Sequence, residues 1–162
     1  MRQIKRIFIH HSASEYGDAK TIDFWHKELG WSEIGYHFVV LNGYSTNAEY
    51  KNNIINENLI GTIEKGRSLK DVGSHVKGHN QDSIGICLIH LIKEYPEKQL
   101  ESYRDLTASL CEYFNIDSSN VFGHYEFDPK KPLCPGLDMN KEREIIKQKL
   151  INSNFNKVKL WQ

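Results

Sequence analysis

The 162 residues are enough for one domain with its own hydrophobic core, and 39% apolar against 26% charged residues is the balance of an ordinary globular chain. The 21 basic side chains cancel the 21 acidic ones, which counts against a nucleic-acid binder, and apolar runs such as 84–92 are far too short to span a bilayer. Three cysteines, Cys87, Cys111 and Cys134, are too few and too odd a number for a disulfide framework, so a reduced compartment is expected.

In chain order, a first strand is expected over Lys5–His10; its apolar run is too short for a signal peptide and no small-residue cleavage site follows. Thr21 is placed to cap a short helix that carries Ile22, Trp25 and Leu29 on one face and stops at Gly30. Tyr36–Leu41 reads as a buried strand. An asparagine-rich stretch, about 43–59, reads as a surface insertion with a short helix around Tyr50–Ile55, followed by a small strand at Ile60–Glu64 and a turn at Gly66. Ile84–Leu91 is the most apolar strand and is expected at the centre of the sheet. Leu100, Tyr103, Leu106 and Leu110 set a helix over Glu97–Phe114. A short strand at Asn120–Phe122 then leads into a loop, and a last helix over about 140–152 aligns Ile145, Ile146, Leu150 and Ile151. Strands interleaved with helices, without repeat or linker, imply a single α/β domain over 1–162 with a central mixed β-sheet flanked by helices.

Three side chains carry candidate chemistry: His10 at a strand end, His124 just after another, and Cys134 ten positions further on. Imidazole nitrogen and thiolate sulfur are zinc's preferred donors, and two histidines with one cysteine leave a tetrahedral ion one place for water. Bound water is acidified towards neutrality and becomes a nucleophile. The proline-bounded loop Pro129–Pro135 restricts the backbone that delivers Cys134. On their own these residues define only a candidate site. The chain has eight histidines, most of which are expected at the surface or hydrogen-bonded in the core, and a free cysteine usually behaves as a small buried hydrophobe.

Four blocks in order carry a resemblance. Phe8-Ile9-His10-His11-Ser12-Ala13-Ser14 resembles the opening histidine motif of the type 2 N-acetylmuramoyl-L-alanine amidases, a family that includes phage lysozymes (endolysins) and the peptidoglycan recognition proteins. Trp25-His26-Lys27, Gly30-Trp31 and Gly35-Tyr36-His37-Phe38 are similar to its second block; Val72 to Asn80 running on to Cys87 is similar to its central block; Gly123-His124-Tyr125-Glu126 and Cys134-Pro135-Gly136 are similar to its last. Together they span Ile7 to about Asp138 and resemble the phage-lysozyme branch most.

The resemblance implies one Zn2+ held by His10, His124 and Cys134, with Tyr36 as the active-site tyrosine and a lysine shortly before the cysteine that neutralises the developing oxyanion. Lys131 is preferred to Lys130, although it stands three residues before Cys134 where that branch has two. It further implies a peptidoglycan substrate, hydrolysed between the lactyl group of N-acetylmuramic acid and the first L-alanine of the stem peptide. The fold expected is that of peptidoglycan recognition proteins and phage lysozyme. A monomer that binds neither nucleic acid nor membrane is expected, made in the cytoplasm without a signal peptide and reaching the wall after release by a holin or a secretion system.

Secondary roles stay divided. His75 either lines the substrate groove or faces solvent on a turn; Asn80 either bonds the stem peptide or holds its own loop. Glu126 either orients a ligand histidine or is exposed, His11 should point away from the metal, and Cys87 and Cys111 read as packing. The rival functions are a peptidoglycan-binding module without catalysis, against which Cys134 and Tyr36 both stand, and a thiol hydrolase built on Cys87 or Cys134 with a histidine. Regulation of a cytosolic partner, as in some phage relatives, has no residue in this sequence to test it.

Overall fold

In the computed structural model, residues 2–91 and 94–152 are described. Five strands form one mixed sheet in the order β3-β2-β4-β1-β5. β1 (Arg6–His11) lies parallel to both β4 (Ser83–Leu88) and β5 (Val121–Gly123), and β2 (Phe38–Val40) lies parallel to β4. β3 (Ile63–Lys65) closes one edge antiparallel to β2. The α/β architecture expected from the sequence is therefore the one observed, with β4 in the middle.

Strand alternation divides the sheet into two faces with different duties. Ile7 and Ile9 of β1, Ile84, Ile86 and Leu88 of β4, and Phe38 and Val40 of β2 share one face. They pack against Tyr103, Leu106 and Leu110 of α3 (Glu97–Phe114) and Ile146 of α4 (Met139–Asn152). Val39, Cys87 and Ile89 turn to the other face, where they meet Ile22 of α1 (Ala19–Glu28) and Ile34. Every residue of β4 is buried, which is why its sequence is a continuous apolar run instead of an alternating one. His10 follows the parity of Phe8, so it lies on the face away from α3 and α4.

The two long helices are joined by a buried ionic clamp. Glu142 of α4 accepts from both Nε and Nη2 of Arg104 at 2.8 and 2.9 Å, and from the Tyr103 hydroxyl. Arg104 and Glu142 are 8% and 3% exposed, so the charges offset one another in a dry setting.

Several boundaries differ from the sequence expectation. α1 begins before Thr21: Asp18 is its N-cap, accepting from the Thr21 amide at 2.7 Å, so Thr21 sits inside the first turn. Leu29 is the C-cap and 71% exposed, and Ile151 near the end of α4 is 66% exposed; helical spacing places each on an apolar stripe, but each lies at a helix end that overruns the core. The helix in the asparagine-rich stretch is α2, at Asn47–Lys51, earlier than expected. It starts on a capping box, with the Thr46 hydroxyl on the Glu49 amide and the Glu49 carboxylate on the Thr46 amide. The small strand falls at 63–65 because Gly61, at a positive φ, is still turning the chain.

Candidate metal centre

Parallel pairing delivers the site. β5 runs beside β1, so the residue after β5, His124, comes next to His10. The two Nδ1 atoms are 3.1 Å apart, and Cys134 Sγ is 4.0 Å from His10 Nδ1. All three candidate ligand atoms lie within 4.8 Å of one another. A tetrahedral zinc ion with ordinary bond lengths separates two nitrogens by about 3.3 Å and a nitrogen from a sulfur by about 3.6 Å. The donor set and its spacing fit such an ion.

The loop bearing Cys134 is fixed by its own backbone. The Lys131 amide donates to Asp128 O, the Cys134 amide to Lys131 O, and the Tyr125 amide to Cys134 O, all between 2.9 and 3.1 Å. The Tyr95 hydroxyl donates to Pro135 O. The His11 amide points at Cys134 Sγ at 3.4 Å, while the His11 ring turns aside and accepts from the Ala13 amide. His11 is thus no candidate ligand in this arrangement, in keeping with strand alternation.

Electrostatics favour neutral imidazoles. Burial drives His10 well below the usual histidine range, and the neighbouring His75, His124, His11 and Lys131 push the same way. His124 is also lowered, first by burial, against the opposing pull of Asp128. Burial pushes the Cys134 thiol up to about 11, although the His11 amide and Lys131 work against it. Without a cation Cys134 is therefore a thiol at neutral pH. Complete burial raises the Cys87 thiol well above its ordinary range, and its Sγ faces Leu88 O. Reactive cysteines have lowered pKa values, so neither thiol has the setting of a nucleophile.

Tyr36 reaches the site from the chain just ahead of β2, its ring centroid 5.0 Å from that of His10. Burial, with Cys87 and Cys134 nearby, raises its hydroxyl well above the ordinary range, so it stays a donor at neutral pH. Lys131 is exposed, and its charge is among those that lower His10, His11 and His124.

Other expected residues take different posts. The His75 ring is buried, not facing solvent, and lies 3.2 Å from His10 Nε2 on the interior side. The Asn80 carboxamide oxygen accepts from the His75 and Val76 amides at 2.9 and 2.8 Å, the loop-holding alternative. Glu126 does not orient His124: its carboxylate takes the Gly123 amide and Arg143. The carboxylate facing His124 is Asp128, 3.7 Å from Nε2. The sequence carries no local signal for Asp128, because the chain from His124 to Asp128 leaves its short turn at Glu126 and forms no helix face on which an i,i+4 pair would meet. Cys87 and Cys111 are both core residues.

A groove of about 440 Å³ opens at Ser12 and Ala13, immediately past His10 and His11 in the chain, and is lined by Tyr16, Trp25, Asn47 and Tyr50. α2 of the asparagine-rich stretch thus contributes to it.

A mixed α/β sheet carrying a histidine–histidine–cysteine cluster, with His10 and Cys134 buried and His124 half-buried, defines an α/β domain with a candidate metal centre. The sequence model of the N-acetylmuramoyl-L-alanine amidase family matches residues 1–137, and this chain belongs to that family. It is 32% identical to the endolysin of Escherichia phage T7, over 91% of this chain and 89% of the relative, and 31% identical to the endolysin of Klebsiella phage KP32, over 94% and 93%. Among solved structures it resembles the N-acetylmuramoyl-L-alanine amidase LysC from Clostridium intestinale, with a TM-score of 0.71 and 28% identity over 93% of this chain and 87% of that one. Drosophila PGRP-LB shares the fold, with a TM-score of 0.62 at 21% identity over 98% and 86%. No helix among the described residues is long and apolar enough to cross a membrane.

Proposed function

We propose that this chain is a zinc-dependent endolysin that hydrolyses the amide bond between the lactyl group of N-acetylmuramic acid and the L-alanine of the stem peptide. The observation that carries this reading is the convergence of His10, His124 and Cys134, three donors brought together from two strand ends and a pinned loop. Zinc bound there would supply a water acidified to near neutrality and a positive charge for the carbonyl oxygen.

The chain's own groups do the rest. Tyr36 keeps its proton and offers it as a hydrogen bond to the oxygen that becomes negative as water adds to the carbonyl carbon. Lys131 supplies a second positive charge, from the solvent side. The C–N bond then breaks, the alanine nitrogen takes a proton given up by the attacking water, and a lactyl carboxylate and a free stem peptide separate. The groove past Ser12 would accept the peptide or the adjoining sugar against Trp25 and Tyr50. The domain would act as a monomer on the wall after release from the cell in which it is made.

Digestion of purified peptidoglycan tests this directly. Soluble stem peptides with a free alanine amino terminus are expected, lost on adding a strong chelator and regained with zinc. Binding to the insoluble wall with no soluble product would support a recognition module, a reading consistent with the fold shared with PGRP-LB.

A further inference from the structure

His75 is a buried titratable group in contact with His10 to which the proposed chemistry gives no task. The structure builds a slot for its ring. A Cβ on Gly73 would stand 2.5 Å from the ring's Cδ2, and one on Gly85 would stand 2.7 Å from the same atom. Side chains at either position would expel the imidazole, so two backbone segments approach it closely because both are glycine. Asn80 fixes the backbone below it through the His75 and Val76 amides.

The ring's hydrogen bonds have a determinable direction. The Ser83 hydroxyl has a single hydrogen, which it gives to His79 O at 2.7 Å. Toward His75 Nε2, 3.4 Å away, Ser83 Oγ can therefore only accept, so Nε2 carries the ring's hydrogen. A neutral imidazole has one N–H, which leaves His75 Nδ1 an acceptor. Its partner at 3.2 Å is His10 Nε2, which must then be the protonated nitrogen of His10. The lone pair of His10 is left on Nδ1, the atom 3.1 Å from His124 Nδ1 and 4.0 Å from Cys134 Sγ.

We infer that His75, itself set by Ser83, is a positioning residue that holds the His10 ring in the orientation and tautomer whose Nδ1 is free to ligate the metal. The inference rests on His10, His124 and Cys134 being a metal centre. A hydrogen bond of this kind also makes the ligand nitrogen more basic, and loss of such a partner typically weakens metal binding by about 10–100-fold. His75 touches no substrate in this role.

The test measures zinc affinity by competition with a chromophoric chelator, for wild type, His75→Phe, His75→Gln and Ser83→Ala. Alongside it run thermal melts of the metal-free proteins and a long-range proton–nitrogen NMR spectrum of metal-free wild type. His75→Phe keeps a ring in the slot but offers no acceptor, and about 10–100-fold weaker zinc binding is expected. His75→Gln, with a carboxamide oxygen, should recover much of the loss. Ser83→Ala, the mildest change, should weaken binding by a smaller factor. The wild-type spectrum should show His10 protonated on Nε2. A purely structural role predicts lower melting temperatures, with no rescue by glutamine and no tautomer preference. Unchanged affinity in both His75→Phe and Ser83→Ala, or His10 protonated on Nδ1, overturns the inference while leaving the metal centre standing. Failure of wild type to bind zinc overturns the centre and this role together.

Discussion

At the scale of single residues, three kinds of group meet around His10 and each should fail in its own way. Removing a ligand with Cys134→Ala should abolish both metal and turnover, since two imidazoles rarely hold zinc alone. Tyr36→Phe keeps the ring against His10 and deletes only the donor, so kcat should fall by about 10²–10³-fold with KM little changed, read from initial rates on soluble muropeptides. Lys131→Ala should lower kcat as well, whereas Lys130→Ala should not, because only the former is among the charges acting on His10, His11 and His124. His37 gives a prediction about stability. Its Nδ1 accepts from the Gly85 amide inside β4 at 3.0 Å, and Nε2 faces Asp71 O. Burial is the largest cause that holds it down to about 4. Above pH 6.5 neither the folded nor the unfolded chain protonates this ring, and it contributes no pH dependence. Below that the unfolded chain takes a proton that the folded one refuses, so stability should fall between pH 6.5 and about 4, by about 3 kcal/mol in total from this group. Urea titrations of the metal-free protein at several pH values read the slope, which His37→Gln should flatten.

At the scale of elements, α3 and α4 depend on the clamp of Glu142 with Arg104 and Tyr103. Glu142→Ala should destabilise the fold by about 3–5 kcal/mol, since it leaves the Arg104 guanidinium buried without its main partner; equilibrium unfolding measures this. How much was legible in the sequence follows the same division. α3 was legible to the residue because eighteen positions of helical spacing average out local ambiguity. β4 was legible as central because nothing but burial on both faces explains so long an apolar run. Short elements were not. α2 was misplaced because its signal is the capping pair Thr46 and Glu49, not hydrophobic spacing, and α1 because Asp18 and Thr21 are both competent caps and only the fold selects Asp18.

Across the whole molecule, the sheet sorts structure from chemistry by parity. Ile7 and Ile9 of β1 build the core under α3 and α4, and His10 on the opposite face carries the ligand, so stability and function share one strand without competing for a face. The ligand set was legible in the sequence only through family resemblance, since 114 residues separate His10 from His124 and no local pattern encodes their meeting. The support around the site was still less legible. Ser83, Asp128 and the two glycines beside His75 act through hydrogen-bond direction and closeness of backbone, which residue identity alone does not express.

The most direct trial of the central claim is a zinc titration of metal-stripped protein, followed by the release of stem peptides from peptidoglycan. Turnover should start near zero, rise in proportion to added zinc and reach its plateau at about one equivalent per chain. Full turnover before any zinc is added, persisting in excess chelator, would contradict it.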